Sequence, residues 1–182
     1  MEDTELQELI EPCEFEYSGF FDATKLVVRP EVRNMCSCDL CNAYGHSWMC
    51  PPGIGTVEEC AQLLSNYSKG ILFQTVGKME DSFDWETIER TKELHKDRMI
   101  RLLDAVYDRF GSADGEVKVL NAGTCTYCKK CTYPDHPCAH PKKAAPSMEA
   151  VGLMVNEVCT MAGVDYNHGP ATMAFSSCIL YN

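Results

Sequence analysis

The chain has 182 residues, a formal net charge of -11 and an apolar fraction of 45%. That length suits one domain with a sizeable core, spanning 1–182, and that apolar content excludes a disordered chain. The acidic balance argues against nucleic acid as a partner, and the apolar runs are far too short for a membrane span.

Residues 1–18 are an acidic segment in which Glu2, Asp3, Glu5, Glu8, Glu11, Glu14 and Glu16 occur without a base. They read as the solvated face of a first helix; a docking tail is the alternative. Leu6 to Ile10 predicts that short helix, stopped by Pro12. Thr24 to Arg29 predicts a strand, because Leu26, Val27 and Val28 favour extended backbone and Pro30 closes it. Thr56-Val57-Glu58-Glu59 has the pattern of a capping box and opens a helix through about Tyr67. Gly70 to Val76 is a compact apolar strand. Asp84 caps a long helix, Trp85 to Phe110, with Met99, Leu102, Leu103, Val106 and Phe110 as its buried stripe and Gly111 as its stop. Val117 to Leu120 is a further strand. Pro146-Ser147 opens a helix through about Ala162, ended by Gly163, and Thr172 to Tyr181 is the last strand. The alternation predicts an α/β fold, a single layered domain with helices packed on a mixed sheet. Two cysteine-rich loops would follow strands. If those strands run parallel, both loops lie at one sheet end, where α/β proteins build sites.

The cysteines carry the chemistry. Cys125, Cys128 and Cys131 form C-x2-C-x2-C, with Cys138 a few residues on. Three thiolates at this spacing can wrap one face of an iron–sulfur cubane, with the fourth supplied from outside the run. Tetrahedral zinc usually takes two C-x2-C pairs separated by a longer loop, so zinc matches less well. Cys36, Cys38, Cys41 and Cys50 form a less regular group. They can close one site alone, as a cluster or as zinc. Cys50-Pro51 also resembles the cysteine–proline step of bacterial ferredoxins, in which that cysteine serves the other cluster, so exchange of ligands between the groups stays open.

Around these thiols, Tyr44 and Trp48 are expected to shield the first site from water, the alternative being ordinary core aromatics, and Gly45 to allow a tight turn. Lys129, Lys130, Lys142 and Lys143 form a local basic patch that can offset cluster charge or hold an anion. His136 and His140 flank Cys138 and read as neighbours of the site rather than ligands. Cys13, Cys60, Cys159 and Cys178 read as small buried hydrophobes. Glu149 reads as a favourable acid in the first turn of a helix.

Val32-Arg33 with Cys36, Cys41, Asn42, Tyr44, Gly45 and Cys50-Pro51-Pro52 forms one motif. Gly123 with Cys125, Cys128, Cys131, Pro137-Cys138, His140-Pro141 and Pro146-Ser147-Met148-Glu149-Ala150 forms another. Together they resemble the cysteine-rich predicted metal-binding protein family, a domain of unknown function numbered 2284, over nearly the whole chain from about residue 20. The resemblance implies metal binding and no particular reaction. In that pattern the cysteines matching 36 and 41 are separated by four residues, so Cys38 stands as an addition and the ligating three of the first group are left open.

Three functions follow. The first is an electron-transfer or redox-accessory protein holding two [4Fe-4S] clusters and docking a redox partner protein. The second is an enzyme whose open cluster iron binds a small sulfur- or oxygen-containing substrate. The third is a structural zinc adaptor. The N-terminus lacks the basic and apolar regions of a secretory signal, which predicts a cytoplasmic protein, and the oxygen sensitivity of clusters predicts an anaerobic source. No G-x-S-x-G elbow, H-E-x-x-H helix or Gly-rich phosphate loop is present.

Overall fold

Four strands form one sheet in the order β1-β2-β4-β3, and every neighbouring pair is antiparallel. The computed structural model describes residues 2–81, 83–111 and 117–182; Met1 of the acidic segment lies outside them. The elements are α1 (Asp3–Ile10), β1 (Tyr17–Asp22), α2 (Pro30–Met35), α3 (Val57–Leu64), β2 (Lys69–Lys78), α4 (Trp85–Phe110), β3 (Val117–Leu120), α5 (Val155–Met161) and β4 (Thr172–Tyr181).

Side chains alternate across a strand, so each strand serves two cores. Ile71, Phe73, Val117, Val119, Ile179 and Tyr181 face α1 and α4, where they meet Leu6, Ile10, Met99, Leu102 and Val106. Leu72, Leu120, Cys178 and Leu180 face the other way, toward Cys60 and Leu64 of α3 and Val158 and Cys159 of α5. The result is a helix–sheet–helix sandwich, and the central strands β2 and β4 are apolar on both sides because both sides are covered.

Several local predictions match. Asp84 Oδ1 accepts the Thr87 N–H at 3.0 Å and starts α4, and Gly111, at φ 84°, ends it. Thr56 and Glu59 make the reciprocal capping box of α3 at 3.1 and 2.7 Å.

Others are corrected. The sheet is antiparallel throughout, not mixed. Residues 24–29 are not a strand: Asp22 Oδ1 accepts from Thr24 N and Oγ1, which ends β1 and turns the chain into a short 3-10 helix at Ala23–Lys25. Leu26 and Val28 are apolar because they pack on the α3/α5 core, not because they pair. The strand lies earlier, at Tyr17–Asp22. There Gly19 lets the Ala162 carbonyl come closer than any Cβ would permit. The helix expected from Ser147 is a single turn. Gly152, at φ 86°, breaks it, and α5 starts only at Val155. Finally, the first cysteine loop follows α2, not a strand; the second does follow β3.

Candidate metal centre

Two loops carry the thiols, and each is pinned at its base. The first spans residues 36–56. Arg33, buried at its start, donates through Nη2 to the Gly55 carbonyl at its end, and through Nη1 to Cys60 Sγ at 3.4 Å. The second spans residues 122–146. It is closed where Asn121 N–H donates to the Pro146 carbonyl at 2.7 Å and Asn121 pairs with Ser147. Lys143 Nζ holds this loop to α4 through Asp104 Oδ1 at 2.5 Å, and Tyr127 OH donates to the same oxygen at 3.3 Å.

The loops meet each other. Cys125, Cys128, Cys131 and Cys138 border one small cavity of about 30 Å³, walled by Ser47, Trp48 and Met49 of the first loop. Cys36, Cys41 and Cys50 border a second cavity of about 180 Å³, walled by Gly123 and Thr124 of the second loop and by Ser147 and Glu149. Cys38 is exposed and borders neither. Among the described residues, no three cysteine, histidine, aspartate or glutamate side chains meet closely enough to ligate one ion as they stand. The donor chemistry nonetheless suits a soft metal or an iron–sulfur cluster: two sets of thiols, each around its own cavity.

The electrostatics divide the thiols. Burial pushes the Cys36 thiol up, and the negative charges of Glu149, Cys41 and Cys50 add to it. Burial also raises Cys50, against the hydrogen bond from Thr124. Cys128 is raised by desolvation and by its three neighbouring thiols, Cys125, Cys138 and Cys131. A bound cation reverses the penalty of like charges at close range. Cys131 goes the other way. Burial opposes its thiolate, yet the N–H groups of Tyr133, Trp48 and Thr132 and the Ser47 hydroxyl point at it and hold it below the usual thiol range. Hydrogen bonds to a ligating sulfur are one means by which a protein sets a cluster's potential.

The expected neighbours are placed as follows. Trp48 borders the cavity of the second group, not the first; its Nε1–H donates to the His136 carbonyl at 3.0 Å and its ring meets Tyr133 edge-on at 4.8 Å. Tyr44 borders the first cavity and stays partly exposed. Gly45 makes the expected turn, at φ 69°, with its N–H on the Pro51 carbonyl. His140 is exposed, lies at the rim of the second cavity and packs against Tyr127 at 5.0 Å. Lys129, Lys130 and Lys142 are exposed, whereas Lys143 is committed to Asp104. Cys13, Cys60, Cys159 and Cys178 are buried in the two cores, with Cys60 against Arg33 at the base of the first loop.

Sequence reasoning missed Ser47, Thr124 and Glu149 as neighbours of the thiols. Ser and Thr are too common in loops to stand out. Glu149 lay in a recognised motif, but its direction depends on a turn that only tertiary contacts create.

A family model described as "Predicted metal-binding protein (DUF2284)" matches residues 19–181. The chain belongs to this family. The match takes in both cysteine loops and all four strands except the first two residues of β1. No curated protein and no solved structure matches the chain. No helix among the described residues is long and apolar enough to cross a membrane.

Proposed function

We propose that this member of the metal-binding family is a two-centre iron–sulfur protein that carries electrons in the cytoplasm between a partner protein and a second acceptor. Cys125, Cys128, Cys131 and Cys138 hold one [4Fe-4S] cluster, and thiols of the first group hold the other. A cluster supplies the ability to take and release one electron. The protein's own residues set where that happens and at what potential.

The observation that carries this reading is the contact between the loops. Cys50 Sγ lies 3.3 Å from Thr124 Oγ1, the neighbour of Cys125. Ser47 of the first loop borders the cavity of the second group, and its hydroxyl favours the thiolate forms of Cys50 and Cys131. Thiol sets whose loops touch in this way support transfer between centres, which a structural zinc module does not need. The C-x2-C-x2-C spacing adds to it. Iron, zinc and acid-labile sulfide per chain, measured on protein purified without oxygen, test the reading. About eight irons and eight sulfides per chain support it. Stoichiometric zinc without sulfide refutes it and leaves the adaptor.

A second reading, an enzyme with an open iron, has its own observation. Only three thiols of the first group border its cavity, and Cys36, Cys41 and Glu149 also border a larger, mainly apolar cavity of about 500 Å³. Turnover of a small sulfur- or oxygen-containing molecule by reduced protein, abolished by filling that cavity with Val155→Trp, would favour this reading over simple transfer.

A further inference from the structure

Four ligands complete a zinc site or a cubane. The second group has four thiols around its cavity, whereas the first has three, and Cys38 turns to solvent. Among the residues that border the cavity of Cys36, Cys41 and Cys50, Glu149 supplies the carboxylate. Its Oε2 is buried and has no hydrogen-bond partner among the described residues. A buried acceptor without a donor is unfavourable and calls for an explanation, a bound ion being one.

The turn that carries Glu149 is braced for this. Ser147 Oγ accepts the Ala150 N–H at 3.0 Å, and the Gly152 N–H donates to the Glu149 carbonyl at 2.9 Å. Ser147 is itself tied to Asn121 at the root of the second loop. The backbone that carries the carboxylate is therefore tied to the root of the second loop.

We propose that Glu149 is the fourth protein ligand of the first centre, with Cys36, Cys41 and Cys50, and that Cys38 is not a ligand. The proposal rests on the two-centre reading for what is bound, but not for which residues bind it. A carboxylate is a harder ligand than a thiolate. Glu149 borders the 500 Å³ cavity together with Cys36 and Cys41.

The test compares wild type, Cys38→Ser, Glu149→Ala and Glu149→Gln, each loaded anaerobically with iron and sulfide. The metal content of wild type decides the two-centre reading. The variants decide the ligand set on whichever metal is found, by X-ray absorption, by the electron paramagnetic resonance of reduced iron protein, and by the rate of metal loss to a chelator. Cys38→Ser should leave all of these unchanged. Glu149→Ala should lose the oxygen scatterer, alter the signal of one centre only, and speed metal loss from that centre about tenfold or more. Glu149→Gln, which keeps the shape, serves if the alanine variant does not fold. Loss of a centre in Cys38→Ser would overturn the proposal, as would Glu149 variants that match wild type in every readout.

Discussion

Cys50 Sγ and Thr124 Oγ1 lie 3.3 Å apart, although 74 positions separate the two residues in the chain. This contact, with Ser47 bordering the cavity of the second group, brings the two cysteine loops together. Neither hydroxyl is a metal donor in this reading. Each acts on a thiol proposed to be one.

Removing such a donor should shift a potential without emptying a site. Ser47→Ala and Thr124→Val should each retain full metal content. Each should lower the reduction potential of the affected centre, because a donor to sulfur favours the more negative reduced state. One hydrogen bond differing by about 1 kcal/mol between redox states corresponds to roughly 40 mV for one electron. Anaerobic redox titration checks this. Unchanged potentials in both variants would show that the hydroxyls have no electronic role.

The cysteines should sort into two classes. Cys128→Ser and Cys131→Ser should lose one centre while the other survives. Cys178→Ala and Cys159→Ala should keep both centres and instead lose about 1–3 kcal/mol of stability, because both side chains are fully buried in the α3/α5 core. Metal analysis beside urea unfolding separates the two classes.

Gly152 links the fold to the site. At φ 86°, a Cβ would also meet Val28 Cγ1 at 2.9 Å and the Arg29 carbonyl at 3.3 Å. Gly152→Ala should cost about 1–3 kcal/mol. It should also weaken metal retention at the first centre, because the same turn carries Glu149. A stable variant with unaltered metal retention would show that the turn tolerates another conformation.

His95 makes stability acid-sensitive. It is buried between Thr75 Oγ1 at 2.9 Å and Ser177 Oγ at 2.8 Å, against Phe15 and Phe175. Burial, and then the Arg98 charge, lower its pKa from 6.5 to about 4, with Glu16 opposing. The unfolded chain therefore takes up this proton first as pH falls. The contribution is complete above about pH 6.5 and is lost progressively down to about pH 4, for at most about 3 kcal/mol. Urea midpoints at pH 7 and pH 4.5, at equal metal loading, should fall more steeply for wild type than for His95→Gln. Equal slopes would place the acid sensitivity in the carboxylates instead.

Much of the fold was legible because it is locally encoded. The Asp84 cap, the apolar stripe of α4 and the Gly111 stop lie within one stretch of chain, and so does the Thr56–Glu59 box. The strands β2, β3 and β4 announce themselves as apolar runs bounded by polar or turn residues. The failures have one physical cause. Leu26-Val27-Val28 has the composition of a strand but does not pair with the sheet, since Asp22 has already turned the chain away. Ser147 begins a helix, but Gly152 is drawn against Val28 and Arg29 and stops it after one turn. Composition cannot tell an apolar segment that pairs from one that packs.

The site divides in the same way. The sequence by itself determined the donors: thiols in two groups, one with the C-x2-C-x2-C spacing of a cluster loop, and a family motif around both. Spacing within a loop constrains which sulfurs can share a site, so that much is local. Only the tertiary structure decided that the loops meet where Cys50 lies against Thr124, that Cys38 is exposed, and that Glu149 borders the same cavity as Cys36. Those facts depend on how an antiparallel sheet brings the end of β3 beside a loop that follows α2, and no short-range pattern encodes that juxtaposition.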